Sequence, residues 1–210
     1  MQERAYQIDL GRQVETPEFV MRHIPSHAAW GYGTLMLYLE DAFRFPSHPE
    51  FAQPRAWTPK QLAAVCACAS KAGMRVLPIV PALGHTAYFI KHPKYRHLSE
   101  NHEKIGEDGL PLLAGQVCPS LEETYTFLAD LFRDMAPYCT GGVLHVSLDE
   151  SFDLGVCSRC RRRVGRHGQG RLFIEHLRRL HAIITGLGLR MAVWGDMFYY
   201  FPEIIPDIPC

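Results

Sequence analysis

The amino-acid sequence predicts an α/β protein of the (β/α)8, or TIM-barrel, class, of which it contains the first five strand–helix units. Short apolar runs of strand length alternate with longer segments whose apolar residues recur at helical spacing. Each apolar run ends in polar or charged residues, and parallel strands gather functional groups at their carboxyl ends. An open doubly wound sheet also binds ligands there. No Gly-x-Gly-x-x-Gly follows the first run, so nothing favours a dinucleotide site.

The length of the chain limits how much of a barrel it can form. The sequence has 210 residues, of which 47% are hydrophobic, and this suits one domain with a large core. A complete barrel typically needs about 250 residues. We therefore interpret residues 1–210 as a single catalytic-type barrel domain that is incomplete at its carboxyl end.

The first unit has clear signals at both ends of its helix. A strand over residues 5–10 leads to a helix that begins at Thr16-Pro17. A threonine cap followed by proline at the first helical position is a helix-start signal. Pro25 is predicted to kink or shorten this helix, and Gly31 to end it.

The second unit repeats the same pattern. A strand over residues 34–39 is followed by a proline-containing loop. The second helix starts at Thr58-Pro59 and ends at Gly73. A third strand then covers residues 75–80.

The rest of the chain contains a long polar segment, residues 91–116, which is longer than an ordinary strand–helix loop and is therefore expected to be functional or mobile. Ser120 and Glu123 form a predicted capping box at the start of the third helix. The remaining predicted elements are a strand over 142–148, a loop, a helix over 171–187 and a strand over 190–194.

Charge and cysteine content limit the class of partner. Lys plus Arg and Asp plus Glu number 22 each, which argues against a nucleic acid as partner. No apolar run approaches the roughly 18 residues that a membrane span needs, and no signal peptide is visible. Seven cysteines scattered through predicted elements favour reduced thiols. The expected location is cytoplasmic, with no membrane partner; the oligomeric state is not predicted.

The fourth predicted strand ends in two adjacent carboxylates, Asp149 and Glu150. Alternation along a strand would place His145, Ser147 and Asp149 on one face. Neighbouring acids can separate into one that holds a proton and one that stays ionised, which is a common arrangement for acid–base chemistry. The alternative is a helix cap and a surface charge. His145, inside the strand, is interpreted as a satisfied core histidine.

Cys157 and Cys160 form a Cys-x-x-Cys pair that could supply half of a structural zinc site. His167 follows seven residues later, but no second Cys-x-x-Cys exists. We therefore favour two unligated thiols in a loop over zinc binding, with redox chemistry as a third interpretation. No other metal site and no cofactor is predicted.

Five motifs follow one another along the chain: Ile8-Asp-Leu-Gly-Arg12, Leu37-Tyr-Leu-Glu-Asp41, Leu83-Gly-His-Thr86, His145-Val-Ser-Leu-Asp-Glu150 and Val193-Trp-Gly-Asp196. In the same order they resemble the motifs of glycoside hydrolase family 20, the β-N-acetylhexosaminidases, and within it the hexosaminidase D-like branch. Serine and leucine stand at positions 147 and 148, where the family signature has two glycines, and leucine precedes Gly84 where many members have proline.

The resemblance implies a TIM-barrel enzyme that removes terminal β-linked N-acetylglucosamine or N-acetylgalactosamine from a small molecule or glycan. It implies a retaining mechanism in which the substrate's own 2-acetamido group assists. Glu150 would be the general acid and later the base. Asp149 would hold the acetamido N–H and stabilise the charge that develops on the intermediate.

The resemblance also implies roles around the sugar for further residues. Arg12 would grip hydroxyl groups, since a guanidinium offers several fixed donors; Asp9 is interpreted as a support for Arg12. A His85–Asp41 pair would orient Glu150. The family's fifth-strand motif places Trp194 under the sugar ring and Asp196 among the substrate-binding residues. The structural alternatives are a surface arginine, a solvated loop histidine and a core tryptophan.

Two further functions remain open from the sequence. One is a catalytically incompetent or truncated relative that at most binds sugar. The other is a different barrel enzyme that uses the Asp-Glu pair with a divalent metal ion. Activity that survives chelation would exclude the metal-dependent enzyme.

Overall fold

The computed structural model describes residues 4–110 and 115–209. Five parallel strands form one sheet whose spatial order follows the order of the chain, which confirms the predicted arrangement. Strands in chain order joined by crossover helices are the arrangement of consecutive units of a (β/α)8 barrel. The strands are β1 Ala5–Asp9, β2 Thr34–Tyr38, β3 Arg75–Ile79, β4 Val143–His145 and β5 Arg190–Ala192.

Helices follow each of the strands along the chain. They are α1 Pro17–Ala29, α2 Pro59–Lys71, α3 Ala87–Ile90, α4 Glu122–Met135, α5 Ser158–His167, α6 Gln169–Gly186 and α7 Met197–Tyr200. The core combines apolar side chains of the strands and the helices, such as Leu35, Leu144 and Leu62, which are fully buried. Within the described residues, no helix is both long enough and apolar enough to cross a bilayer.

The two predicted helix starts at Thr-Pro pairs are confirmed. Thr16 accepts a hydrogen bond from the backbone N–H of Phe19, and Thr58 caps α2 in a reciprocal box with Gln61. Pro25 lies inside α1 without shortening it, because proline removes only the hydrogen bond of its own nitrogen and the helix continues to Ala29.

The predicted capping box at Ser120 is wrong. Helix α4 begins at Glu122 after Leu121, which provides no side-chain cap. The Ser120 hydroxyl instead accepts a hydrogen bond from Arg163 at 2.8 Å and lies 3.1 Å from the Cys160 sulfur. The Ser120 side chain therefore forms tertiary contacts instead of the helix cap that the local pattern predicted.

Helix α5 was not predicted, since residues 158–167 are rich in arginine and lack an apolar stripe. The helix is anchored through Cys160, which is fully buried, and its N-cap is Cys157. These two cysteines therefore lie at a helix start rather than in the predicted loop.

The long segment after β3 has more structure than predicted. A 3-10 helix covers Pro93–Leu98, and Ser99 then pairs with Val117 in an isolated antiparallel bridge. Residues 111–114 of the predicted loop lie outside the described residues. The bridge closes residues 99–117 into a loop, and the Val117 N–H donates to the Leu83 carbonyl just after β3.

Candidate active site

The backbone after β4 turns sharply and brings the paired carboxylates out of the sheet. The strand ends at His145 rather than at residue 148 as predicted. Ser147, Leu148 and Glu150 adopt left-handed conformations with φ of 63°, 73° and 48°. Such conformations cost side-chain-bearing residues roughly 1 kcal/mol or more each, and they are concentrated at functional sites. Alternation beyond His145 therefore does not predict which way Asp149 points.

His85 lies against both acids. Its Nε2 atom is 3.2 Å from Oδ2 of Asp149 and 3.4 Å from Oε2 of Glu150. The side chains of Asp149 and Glu150 are 24% and 62% exposed, so Glu150 is the more accessible acid. An N–H at Nε2 can interact with both carboxylates, which reduces their mutual repulsion.

Gly84 allows β3 and β4 to approach each other at this point. A Cβ atom built on Gly84 would overlap the carbonyl oxygen of Asp149. Any larger residue would push the two strand ends apart. The glycine next to His85 is thus required by the close backbone approach that brings the histidine to the acids.

Asp149 and Trp194 both form hydrogen bonds with Ser147, which lies just after β4. The Ser147 hydroxyl donates to Oδ1 of Asp149 at 2.5 Å, and the Ser147 N–H donates to Nδ1 of His145 at 3.0 Å. Burial lowers the pKa of His145 to about 4, so this ring is neutral, and it packs on Trp194 with ring centroids 4.5 Å apart. The backbone N–H of Trp194 donates to the Ser147 carbonyl.

Asp196 holds the backbone at the second acid. Its Oδ2 atom accepts the Glu150 N–H at 3.0 Å. Its Oδ1 atom is buried and has no hydrogen-bond partner among the described residues. Asp196 therefore contacts the main chain of Glu150 and keeps one acceptor oxygen unused.

Arg12 and Glu40 face each other at the carboxyl ends of β1 and β2. The backbone N–H of Arg12 donates to Oδ1 of Asp9 at 3.1 Å, and the Arg12 side-chain Nε lies 4.0 Å from Oδ2 of Asp9. Burial raises the pKa of Glu40, and the positive charge of Arg12 acts in the opposite direction. Glu40 packs over Gly11, where an added Cβ would lie 2.8 Å from the Glu40 carboxyl carbon.

Asp41 does not pair with His85 as the sequence predicted. Its carboxylate forms an ion pair with Lys91 and accepts a hydrogen bond from Gln53 at 3.1 Å. The reason is the backbone of Glu40, whose φ of 44° turns the chain into a short 3-10 helix directly after β2. Because of this turn, Glu40 rather than Asp41 lines the cavity beside His85.

A cavity of about 240 Å³ opens among these groups at the carboxyl ends of the strands. It unites Arg12, His85 and Glu150 of the predicted site, while Asp149 contacts the lining through His85. Asp41 and Trp194 are not part of its lining. The lining residues are Arg12, Glu40, His85, Ala87, Tyr88, Gly115, Gln116, Glu150 and Asp153.

Three polar lining residues were not predicted: Glu40, Gln116 and Asp153. Glu40 is the first acidic residue after the second apolar run, so its position was a usable signal. Gln116 is 1% exposed, and neither side-chain polar atom has a hydrogen-bond partner within the described residues. No sequence pattern indicates Gln116 or Asp153, since both lie in irregular segments.

Comparison with protein families gives one match across the chain. Residues 2–207 match the model of the catalytic domain of glycosyl hydrolase family 20. Human hexosaminidase D is 24% identical over 211 aligned residues, covering 96% of this chain and 41% of the human protein. The chain therefore spans about four-tenths of that relative's length.

Solved structures share the fold. The chitobiase of Flavobacterium johnsoniae superposes with a TM-score of 0.79 at 17% identity, covering 92% of this chain and 31% of the chitobiase. An exo-β-N-acetylglucosaminidase of Vibrio harveyi, in complex with N-acetylglucosamine, gives a TM-score of 0.76 at 20% identity, covering 92% of this chain and 35% of that enzyme. The incomplete barrel thus corresponds to part of larger catalytic chains.

Proposed function

The chain belongs to glycosyl hydrolase family 20, and on that premise we propose that it hydrolyses the glycosidic bond of a terminal β-linked N-acetylhexosamine. The observation that carries this proposal is the placement of Asp149 and Glu150 around His85 beside a cavity. The names of human hexosaminidase D and of the Vibrio enzyme support the same substrate class. Residues 1–210 would then be part of one catalytic barrel domain.

The proposed reaction proceeds with retention of configuration. Glu150 gives its proton to the leaving glycosidic oxygen while the oxygen of the substrate's 2-acetamido group attacks C1. The C1–O bond breaks, and an oxazolinium-like intermediate forms. Glu150 then accepts a proton from water, whose oxygen attacks C1 and reopens the ring. The greater exposure of Glu150 supports its role as the acid that meets the leaving group.

Asp149 would stabilise the acetamido group in this mechanism. Its carboxylate accepts the acetamido N–H and so favours both the attacking orientation and the positive charge of the intermediate. The hydrogen bond from Ser147 fixes one carboxylate oxygen, and His85 faces the other. A carboxylate held from two sides is preorganised for the charge that develops in the transition state.

The substrate's hydroxyl groups would meet Arg12 and Glu40. Both side chains line the same cavity as Glu150, and together they offer donors and acceptors for sugar hydroxyls. The cavity volume of about 240 Å³ is slightly below the range of about 300–1,000 Å³ that is usual for small-molecule sites, which favours one sugar unit. Trp194 remains a proposed apolar contact for the ring, and Asp196 a positioning residue for Glu150.

The proposal is tested by comparing two aryl glycosides on the complete protein. The aryl β-N-acetylglucosaminide should be hydrolysed at least about 100-fold faster than the aryl β-glucoside, because only the first carries the assisting acetamido group. The activity should persist when free magnesium, calcium and manganese are removed from the solution. Equal rates on the two substrates would contradict the acetamido-assisted mechanism, and loss of the reaction on that removal, restored by magnesium or manganese, would favour a metal-dependent enzyme.

A further inference from the structure

Four ligand-type side chains converge beside the cavity, although they lie far apart in the sequence. Glu100 follows the 3-10 helix Pro93–Leu98, Cys118 precedes α4, and Cys157 and Cys160 begin α5. All four side chains are buried, with exposures of 0% for Glu100, Cys118 and Cys160 and 3% for Cys157. One carboxylate oxygen and the three sulfur atoms all lie within 4.8 Å of one another.

Three of the distances between these atoms are close to those in a tetrahedral zinc site. Cys118 Sγ is 3.5 Å from Cys157 Sγ and 3.6 Å from Cys160 Sγ, and Cys160 Sγ is 3.3 Å from Oε2 of Glu100. Bonds of about 2.3 Å to sulfur and about 2.0 Å to oxygen at tetrahedral angles separate two sulfurs by about 3.8 Å and a sulfur from an oxygen by about 3.5 Å. Only small movements would therefore be needed to bind the ion.

The buried carboxylate of Glu100 needs a compensating partner. Its Oε1 atom accepts hydrogen bonds from the backbone N–H groups of Gly155 at 2.9 Å and Cys157 at 3.4 Å, while Oε2 faces Cys160. Among the described residues, no lysine or arginine pairs with it. A fully buried carboxylate without a cation is unfavourable, and a divalent ion at this point would supply the missing positive charge.

The cysteines are also placed as metal ligands rather than as a disulfide. Sulfur separations of 3.5 Å and 3.6 Å are far longer than the roughly 2.0 Å of a disulfide bond. Cys157 and Cys160 have the Cys-x-x-Cys spacing of structural zinc sites, and the N–H of Cys160 points to the Cys157 sulfur at 3.4 Å. That contact is the usual support for a thiolate at a helix start.

Positive charge near the cluster would offset the negative charge of three thiolates and a carboxylate. The cluster lies at the amino-terminal end of α5, where the helix dipole favours anions. Arg163 donates to Ser120 at 2.8 Å, and the Ser120 hydroxyl lies 3.1 Å from the Cys160 sulfur. Ser120 thus links the positive charge of Arg163 to the Cys160 sulfur, a contact that would stabilise an anionic metal complex.

We propose that Glu100, Cys118, Cys157 and Cys160 bind one structural Zn²⁺ ion. Three thiolates select zinc over magnesium or calcium, and four protein ligands leave no open position for catalysis. The ion would join the segment after β3 to the loop between β4 and α5. Both of these segments contribute to the cavity wall, through Gln116 and Asp153 respectively. The proposal does not depend on the identity of the substrate.

The first test measures metal binding by the complete protein. Purified without chelator, it should contain about one zinc per chain by elemental analysis. After removal of zinc under reducing conditions, titration with Co²⁺ should give a sulfur-to-cobalt charge-transfer band and the strong visible bands of a tetrahedral site, both saturating at about one equivalent. The proposal would be overturned if the purified protein contained no zinc and the reduced wild-type protein gave no such spectrum with Co²⁺.

The second test compares variants of two proposed ligands with a control variant of another buried cysteine. Cys118→Ser and Glu100→Gln should bind zinc at least about 10-fold more weakly than the wild type in competition with a chromophoric chelator. Cys66→Ser removes a buried thiol of α2 that is not one of the four ligands and contacts the Tyr138 carbonyl, so this variant should bind zinc as the wild type does. Equal affinity in all four proteins would overturn the assignment of the ligands.

A third measurement links the ion to the fold. Zinc removal should lower the midpoint of thermal unfolding of the wild type by at least about 5 °C, since metal binding to a folded site adds to stability. The midpoint should recover on addition of zinc but not of magnesium. A midpoint that is insensitive to zinc would count against a structural ion, even if a variant in the cluster failed to fold.

Discussion

The Nε2 atom of His85 lies 3.2 Å from Oδ2 of Asp149, at the meeting point of β3 and β4. The same nitrogen lies 3.4 Å from Glu150. One imidazole therefore faces two adjacent carboxylates that would otherwise repel each other. We therefore propose that His85 positions both acids instead of forming the pair with Asp41 that the sequence predicted.

Replacing His85 should reduce catalysis without unfolding the protein. His85→Gln removes the ring N–H that interacts with both acids, so kcat/KM for an aryl β-N-acetylglucosaminide should fall about 100-fold. His97→Gln is the matched control, because His97 is exposed and pairs with Glu123 outside the cavity. Equal activity of the two variants, with unchanged circular dichroism, would remove His85 from the site.

The two acids should respond differently to the leaving group. Glu150→Gln removes the proton donor, so a substrate with a good aryl leaving group should lose much less rate than one with a poor leaving group. Asp149→Asn weakens the hold on the acetamido group and should slow both substrates by about 10²–10³-fold. The measurement is kcat/KM for a series of aryl substrates of increasing leaving-group basicity. A uniform loss in Glu150→Gln would show that Glu150 is not the general acid.

Substitutions of the adjacent residues Glu40 and Asp41 should affect different properties, the activity for Glu40 and the stability for Asp41. Glu40→Gln changes the cavity lining and should lower kcat/KM at least about 10-fold with little change in stability. Asp41→Asn breaks the contact with Lys91 and should lower the free energy of unfolding by about 1–3 kcal/mol while keeping most of the activity. Urea unfolding and kinetics on both variants provide the comparison. The reverse pattern would favour the sequence-based assignment of Asp41 as the substrate-binding acid.

The left-handed backbone at Leu148 should make glycine more favourable than alanine there. Both substitutions remove the buried contacts of the leucine side chain beyond Cβ, but only Leu148→Gly relieves the φ of 73°, so it should be more stable than Leu148→Ala by about 1 kcal/mol. Val146 is the control: it is buried and its φ is negative, so glycine should be less stable than alanine by about 0.5–1 kcal/mol. Urea unfolding that ranks alanine above glycine at both positions would contradict the strained turn.

Two buried histidines should make the protein sensitive to acid. Burial lowers the pKa of His145 and of His176 to about 4, against about 6.5 in the unfolded chain. Between these pH values each of the two residues binds more protons in the unfolded chain than in the folded one, so the stability that each neutral histidine contributes is fully present above about pH 6.5 and is lost towards pH 4. The expected loss is on the order of 2–3 kcal/mol per histidine.

The acid sensitivity can be assigned to single residues. Urea unfolding of the wild type at pH 7 and pH 4.5 gives the total change in the free energy of unfolding. His176→Gln should show a smaller change between the two pH values, because it removes one titrating group that contacts Tyr125 and the Ala82 carbonyl. His97→Gln should behave like the wild type. An identical pH dependence in His176→Gln would contradict this assignment.

The sequence by itself determined the five parallel strands, the starts of α1 and α2, and the position of the paired acids. These features follow from local rules: apolar runs of strand length, threonine–proline starts and polar residues at strand ends. These rules did not predict helix α5, because its ten residues lack an apolar stripe and the helix packs on the core through the buried Cys160.

Only the tertiary structure decided which side chains face one another. The turn at Glu40 brought Glu40 rather than Asp41 to the cavity, and the turn after β4 set the directions of Asp149 and Glu150. Glu100 and Cys118 joined Cys157 and Cys160 through the packing of segments far apart in the sequence. The physical reason is that side-chain direction at a strand end depends on one or two backbone angles, and a buried cluster depends on long-range packing. Hydrophobic periodicity encodes neither the backbone angles at a strand end nor the long-range packing of a buried cluster.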